Sequence, residues 1–174
     1  KLYTHSAFVS VSLFVLLLVT FLLSARMILS GDFFYLYDQA RDFLLVKNIV
    51  LTKDITLIGS QSGIGGFFHG PLYLYLLVPF FLLGKGNPFF YTTFFILIPL
   101  LTVLTGFFVG KKLYSAPFGL ILAFFLMMSP RIWIFTPSTQ GLNLIPLLYL
   151  LIVYFVVKFI RGNRKAIIFA VFLA

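Results

Sequence analysis

Residues 7–29 read AFVSVSLFVLLLVTFLLSARMIL, an apolar run in which Arg26 is the only charged residue. A helix of this length reaches about 34 Å, which is enough to cross a hydrocarbon core of about 30 Å. A cleaved signal peptide fits the run less well, because the run is long for one and lacks an Ala-x-Ala cleavage site. We therefore predict that residues 7–29 form a membrane-spanning helix.

The composition extends this prediction to the whole chain. Of its 174 residues, 61% are hydrophobic and 10% are charged, whereas soluble domains average about 25% charged residues. Further apolar runs follow at residues 88–110, 115–130, 143–160 and from 166 onward. Runs of this length predict an all-α, polytopic membrane protein, because a helix satisfies its own backbone polar groups inside a bilayer. We expect one transmembrane domain over residues 1–174, as the N-terminal part of a longer protein.

The net charge of +9 does not indicate a nucleic-acid-binding protein. The Lys and Arg residues stand in small groups at the ends of apolar runs, a pattern typical of topology signals rather than of a phosphate-tracking groove. The chain has no Cys, which excludes disulfides and thiolate metal sites. We therefore expect the lipid bilayer, and no nucleic acid, among its partners.

The acidic residues are confined to one part of the chain, and they are Asp32, Asp38, Asp42 and Asp54. A helix over residues 35–50 would be amphipathic and would suit the membrane interface. Its apolar face would carry Leu36, Ala40, Phe43 and Leu44, and its opposite face Asp38, Arg41 and Asp42, with Leu45 interrupting it. Residues 59–66 read GSQSGIGG, which predicts a mobile loop and does not match a dinucleotide-binding pattern.

The segment at residues 71–84 decides the topology. As a helix it reaches only about 21 Å, and Pro79 would kink it. Two basic groups should be cytoplasmic, namely Lys111 with Lys112, and Lys158 with Arg161, Arg164 and Lys165. Both groups fall on the same side as the start of the chain only if residues 71–84 do not cross. We therefore predict a non-crossing helix at 71–84 within an extracytoplasmic loop of residues 31–87, and a second outer loop at residues 131–142.

The acidic helix is the expected site of chemistry. Asp38 and Asp42 are four residues apart and so share a helical face, with Arg41 beside Asp38. A carboxylate at a partly dehydrated membrane surface can act as a general base. The planar guanidinium of Arg41 is well shaped to bind a phosphate. His69 precedes the helix at 71–84, and a helix N-terminus favours bound phosphate.

Structural alternatives accompany these assignments. Ion pairs are common on an ordinary solvated helix face, and a lone His such as His69 is more often structural than catalytic. Tyr73 can stack on a sugar ring or belong to an interfacial aromatic belt. The two His residues lack the HExxH spacing of a zinc site. No cofactor is predicted, and a divalent metal is left open rather than indicated.

Taken in order, these features resemble the start of the GT-C fold glycosyltransferases, most closely the protein O-mannosyltransferase and aminoarabinose-transferase-like group (glycosyltransferase family 39-like). After one apolar span, the outer loop opens on Asp38-Gln39-Ala40-Arg41-Asp42 and continues to His69-Gly70-Pro71-Leu72. Later matches are Gly110-Lys111-Lys112-Leu113-Tyr114, Met128-Ser129-Pro130 and Asn143-Leu144-Ile145-Pro146. Each motif is short, and the resemblance depends on their order and spacing over the whole chain.

The resemblance implies roles for particular residues. Asp38 would be the catalytic base and Arg41 would bind the donor phosphate. From their positions in the sequence, we add Asp42 as a second catalytic carboxylate and His69 as a second phosphate-binding residue. Further contacts to donor or acceptor would come from Gln39, Tyr73, Gln140 and Asn143. The chain departs from the family pattern at Gly70, where the family has Pro, at Phe68, where many members have an acid, and at Gln140 and Asn143, where many have an Asp.

The implied function is transfer of a sugar from a polyprenyl-phosphate donor to a lipid, glycan or protein acceptor, with inversion at the anomeric carbon. The enzyme would be a multi-pass protein of the plasma (inner) membrane with its active site on the extracytoplasmic side. The alternatives are a lipid or solute transporter or flippase, and a non-catalytic membrane subunit. A transporter usually places ionisable groups at mid-membrane on broken helices, whereas these acids lie outside the apolar runs. A subunit would need neither Asp38 nor Arg41.

Overall fold

The computed structural model describes residues 2–31, 36–135 and 141–173. Over these ranges the chain is helical and has no β-strand, apart from one isolated bridge between Gln61 and Phe68. The helices are α1 Leu2–Leu29, α2 Tyr37–Thr52, α3 Leu72–Leu83, α4 Pro88–Thr92, α5 Phe94–Leu113, α6 Ala116–Met127, α7 Pro130–Phe135, α8 Ile145–Ile160 and α9 Ala166–Leu173, with a 3-10 turn at Gly141–Leu144. The expected all-α class is confirmed.

Three helical segments are long and apolar enough to cross a membrane: Ala7–Leu29, Pro88–Leu113 and Gly141–Ile160. They correspond to three of the runs identified in the sequence. The run at 115–130, also expected to be a span, forms the 12-residue helix α6, which reaches only about 18 Å, and the run from 166 onward forms the 8-residue helix α9. Helix α6 ends before Pro130 starts α7, because a proline disfavours helical conformation in the residue before it.

Short polar residues and prolines set several helix starts. The Asn87 side chain accepts a hydrogen bond from the amide of Phe89 at 2.9 Å, and α4 then begins at Pro88. The Ser115 hydroxyl likewise accepts from the amide of Phe118 at 3.3 Å, at the start of α6. These contacts satisfy amides that have no partner within the first helical turn.

Helix α1 runs antiparallel to α5. Near the start of α1, Val9 packs in a cluster with Val103 and Phe107 from the later part of α5. Near the end of α1, Ile28 packs in a second cluster with Phe95 from the beginning of α5. This second cluster also contains residues of α2 and α3, among them Val46. The α2–α3 region therefore lies at the end of the bundle where α1 finishes and α5 begins.

The two basic groups at Lys111–Lys112 and Lys158–Lys165 lie at the opposite end of the bundle. Arg161, just after α8, donates a hydrogen bond to the carbonyl of Leu113, the last residue of α5, at 3.0 Å. The Lys112 ammonium lies 5.7 Å from the centre of the Tyr154 ring of α8. The ends of α5 and α8 thus come together, as the topology argument requires. That residues 71–84 do not cross a membrane stays a prediction.

The faces of α2 differ from those expected. The side of α2 that is buried in the protein carries Gln39, Asp42, Phe43 and Val46. Leu36 and Leu44, assigned to one apolar face with Phe43, are instead exposed. Asp42, assigned to the opposite polar face, turns inward because Arg41 and Ser60 satisfy its carboxylate there.

Candidate active site

Arg41 lies between the carboxylates of Asp38 and Asp42. Its Nη1 is 3.0 Å from Oδ1 of Asp38, and its Nε and Nη2 donate to Oδ1 of Asp42 at 3.1 and 3.0 Å. The side chain of Asp38 is 55% exposed, whereas that of Asp42 is 10% exposed. The expected proximity of the three residues is confirmed, and their burial makes Asp38 the accessible carboxylate of the pair.

A backbone hairpin at residues 59–69 lies against this cluster and is hydrogen-bonded to it. Arg41 Nη1 also donates to the carbonyl of Gln61 at 3.0 Å, and the Ser60 hydroxyl forms a hydrogen bond with Asp42. The hairpin pairs the amide of Gly59 with the carbonyl of His69, and the amide of His69 with the carbonyl of Ser60, both at 2.9 Å. The segment expected to be a mobile loop is therefore tied to α2 by side-chain hydrogen bonds.

Gly59 allows the two sides of the hairpin to approach closely. A Cβ at this position would lie 2.6 Å from the carbonyl oxygens of both His69 and Gly70. The same pairing places His69 beside Ser60, which contacts Asp42. His69 itself is exposed. The fold thus pairs the backbone of His69 with that of Ser60 and leaves His69 exposed.

Burial raises the pKa of Asp42 above its ordinary value of 3.8. The hydrogen bond and positive charge of Arg41, and the hydrogen bond from Ser60, oppose this shift, while the negative charge of Asp38 adds to it. Desolvation prevails because a carboxylate loses more on leaving water than these partners return. Arg41 therefore provides the main stabilisation of the ionised form of Asp42 against the effect of burial.

A pair of tyrosines lies next to the acids. The hydroxyls of Tyr73 in α3 and Tyr91 in α4 are 3.3 Å apart, and the Tyr91 ring packs edge-on against Phe43 of α2 at 5.6 Å between centres. Burial raises the pKa of Tyr73 well above 10.0, and its hydroxyl contact with Tyr91 and the charge of Asp42 add to the shift. Tyr73 is thus a neutral hydrogen-bonding group close to Asp42.

The turn before α8 approaches the same region. A Cβ on Gly141 would lie 3.2 Å from the Tyr73 ring, so this turn packs directly against α3. Asn143 lines a small cavity of about 10 Å³ with Thr102, Arg131 and residues of α5 and α8, and its Nδ2 is buried without a hydrogen-bond partner. Gln140, the other expected contact from this loop, lies outside the described residues, as does Asp32.

The Gln39 side chain forms a hydrogen bond with the backbone at the start of α2. Its side-chain oxygen accepts a hydrogen bond from the amide of Leu36 at 2.9 Å, and its side chain is buried. It therefore helps to fix the start of α2, where the backbone amides would otherwise lack partners. This position separates Gln39 from the exposed side of Asp38, although the two are neighbours in sequence.

Sequence reasoning did not identify Ser60 or Tyr91 as part of this site. Ser60 sits in a Gly/Ser-rich segment that reads as a loop, and its contact with Asp42 depends on the hairpin pairing. Tyr91 belongs to an aromatic run that is typical of any membrane helix. Neither carries a local signal, because both contacts are made across the tertiary structure.

The residues that the structure describes contain no group of three or more His, Asp or Glu side chains placed to hold a metal ion. Asp38 and Asp42 are engaged with the guanidinium of Arg41 instead. This arrangement suits handling of a proton or an anionic group, because it joins carboxylates to a cation at the edge of an apolar bundle.

The interpretation of this site depends on its geometry, because comparisons with known proteins found no match. No protein-family model, curated protein or solved structure matches this chain. The candidate site consists of an exposed carboxylate, a buried carboxylate, the guanidinium that they share and a neighbouring tyrosine pair, with the exposed His69 on the adjoining hairpin.

Proposed function

We propose that this chain is part of a polytopic membrane glycosyltransferase of the GT-C type, which moves a sugar from a polyprenyl-phosphate donor to an acceptor outside the cytoplasm. The observation that supports the proposal is the position of the Asp38–Arg41–Asp42 cluster at the end of the bundle opposite the basic groups around Lys112 and Arg161. A polar, ionised site at the boundary of apolar helices is where a lipid-linked donor and a water-soluble acceptor can meet.

Asp38 accepts the proton of the acceptor hydroxyl or amine in this mechanism. The acceptor atom forms a bond to the anomeric carbon as the bond from that carbon to the phosphate oxygen breaks. The electron pair of the broken bond leaves with the polyprenyl phosphate. Asp38 suits this role because it is the more exposed carboxylate of the pair.

Arg41 and His69 interact with the donor phosphate in the proposed complex. Four N–H···O contacts already engage Arg41, through Asp38, Asp42 and the Gln61 carbonyl. A phosphate would share or displace the contact with Asp38, which would release that carboxylate to act as a base. His69, exposed beside Ser60, offers a second donor to the same anion.

A transporter has less support from the arrangement of charges. The candidate spans contain no acidic residue, and their basic residues stand near span ends: Arg26, Lys111, Lys112 and Lys158. Proton or ion transport usually requires ionisable groups near the middle of the bilayer. The ionisable cluster of this chain lies on α2 instead, outside those spans.

Replacing Asp38 tests the proposed chemistry. We expect Asp38→Asn to lower the rate of sugar transfer from polyprenyl-phosphate mannose or aminoarabinose by about 100-fold or more, because general-base catalysis contributes at least that much. The rate is measured in detergent as release of polyprenyl phosphate with a radiolabelled sugar. Asp54→Asn is the matched control, since Asp54 is an exposed acid outside the cluster, and it should retain the wild-type rate.

Two results would contradict the proposal. One is an Asp38→Asn protein that keeps the wild-type rate. The other is a wild-type protein that releases no polyprenyl phosphate from either donor. The thermal unfolding midpoint of each variant in the same detergent separates a loss of chemistry from a loss of folding.

A further inference from the structure

The hairpin at residues 59–69 and the segment leading into it expose many large apolar side chains. Between residues 55 and 68, six such side chains are from 55% to 81% exposed: Ile55, Leu57, Ile58, Ile64, Phe67 and Phe68. Isolated exposed apolar residues are common on proteins, but a concentrated patch marks an interaction surface. We call Ile64, Phe67 and Phe68 the apolar tip of the hairpin.

Two polar groups of the same region face the acidic cluster, whereas Gln61 and His69 as whole residues are exposed. Ser60 is 4% exposed and contacts Asp42, which is itself buried, while the Gln61 carbonyl accepts from Arg41. The exposure of Ile64, Phe67 and Phe68 departs from the pattern of a water-soluble loop, in which apolar side chains turn inward. Exposed apolar surface of this kind is favourable where the surrounding medium is apolar.

The turn that carries the apolar tip satisfies many of its own backbone groups. The Ser62 hydroxyl donates to the carbonyl of Ile64 at 3.1 Å and accepts from the Ile64 amide at 3.2 Å. The amide of Phe67 donates to the Ile64 carbonyl at 3.2 Å, and the amide of Ser62 to the Phe67 carbonyl at 2.9 Å. Internal pairing of this kind reduces the cost of moving backbone out of water.

The location and charge of the hairpin identify the bilayer as its medium. Helices α2 and α3, which flank it, pack in one cluster with Ile28, close to the end of the candidate span Ala7–Leu29. No Asp, Glu, Lys or Arg occurs between residues 55 and 84. A protein partner would usually meet a polar rim around such a patch, whereas an uncharged stretch next to a span suits lipid.

We propose that the apolar tip inserts into the bilayer interface beside α1 and holds the acidic cluster at the depth of the lipid headgroups. Arg41 and Asp42 connect the hairpin to α2 through Gln61 and Ser60, so the depth of the tip sets the depth of the cluster. The proposal concerns contact with lipid and does not depend on the chemistry proposed for the site.

Site-directed fluorescence tests the insertion, because the chain has no native Cys that would compete for a label. Phe67→Cys carries an environment-sensitive nitrobenzoxadiazole label, and Asp54→Cys is the matched control on the polar segment after α2. Both proteins are reconstituted into vesicles of phosphatidylcholine and phosphatidylglycerol. Lipids with a spin label high on the acyl chain quench at the depth of an interfacial segment, about 5–10 Å below the surface.

We expect the lipid quencher to reduce the fluorescence at position 67 about two-fold or more relative to position 54, and aqueous iodide to show the opposite order. Equal quenching of the two positions by iodide would overturn the proposal. Protection of position 67 from both quenchers would also overturn it, since a protein partner or a second copy would then cover the tip. Ile64→Cys provides a second variant of the same tip, for which the same result is expected.

Discussion

Asp42 is the residue whose properties depend most on its surroundings. Its carboxylate is buried, accepts two N–H groups of Arg41 through one oxygen, and contacts Ser60. Its sequence position indicates only that it shares a helical face with Asp38. The fold decides that Asp42 faces inward and Asp38 faces solvent, so that two identical side chains acquire different chemistry.

The raised pKa of Asp42 predicts a pH dependence of stability. The folded state binds the proton of this carboxyl more tightly than the unfolded state does, so its contribution to stability is fully present below the ordinary pKa of 3.8. That contribution is lost as the pH rises through the higher pKa of the folded protein. We expect Asp42→Asn to remove this loss, measured as the unfolding midpoint in detergent across that pH range.

Comparison of variants isolates the contribution of Asp42 from those of other titrating groups. Asp54→Asn, which changes an exposed acid, should keep the wild-type decrease in stability with rising pH. If Asp42→Asn showed the same decrease as Asp54→Asn, burial would not control the proton of Asp42.

At the scale of elements, helices α5 and α6 cross in close contact. A Cβ on Gly110 of α5 would lie 2.7 Å from the Cα of Gly119 in α6, and one on Gly119 would lie 2.5 Å from the carbonyl oxygen of Phe107. Glycine at both positions lets the two backbones approach closely, as small residues do in membrane helix pairs. The short helix α6 is thereby held against α5 although it is too short to span a bilayer alone.

Substitution at this crossing is expected to be costly. Gly119→Ala should lower the free energy of unfolding by about 1–3 kcal/mol, because the added methyl group overpacks a backbone contact. Gly63→Ala is the control, since a Cβ there meets no atom within 4 Å. Unfolding in mixed micelles with increasing sodium dodecyl sulfate measures both, and similar values for the two variants would argue against close packing at the crossing.

At the scale of the whole molecule, the fold places the acidic cluster and the basic groups around Lys112 and Arg161 at opposite ends of the bundle. The acidic cluster lies on α2 near the end of α1, and the basic residues Lys112 and Arg161 lie together at the ends of α5 and α8. Since α1 and α5 are antiparallel and span-length, these two ends should face opposite sides of a membrane.

Labelling from one side of the membrane tests this separation. In right-side-out vesicles, we expect a membrane-impermeant maleimide to label Asp54→Cys and not Arg164→Cys, since both positions are exposed and belong to opposite ends. Detergent permeabilisation should allow both to react. Labelling of both residues in intact vesicles would place residues 54 and 164 on the same side and remove the basis of the proposed extracytoplasmic site.

The sequence by itself determined the helical class, the three span-length helices, and the approximate bounds of α2 and α3. Hydropathy, proline and helical periodicity act over neighbouring residues, so these properties can be derived from local patterns. Proximity of Asp38, Arg41 and Asp42 also follows from helical spacing alone.

Only the tertiary structure decided which side of α2 is buried, that Ser60 contacts Asp42 and Tyr91 contacts Tyr73, and that the 59–69 hairpin turns its apolar side chains outward. Each of these features depends on contacts between residues far apart in the chain. Their free energies come from burial and hydrogen bonding across elements, which no local pattern of residues encodes.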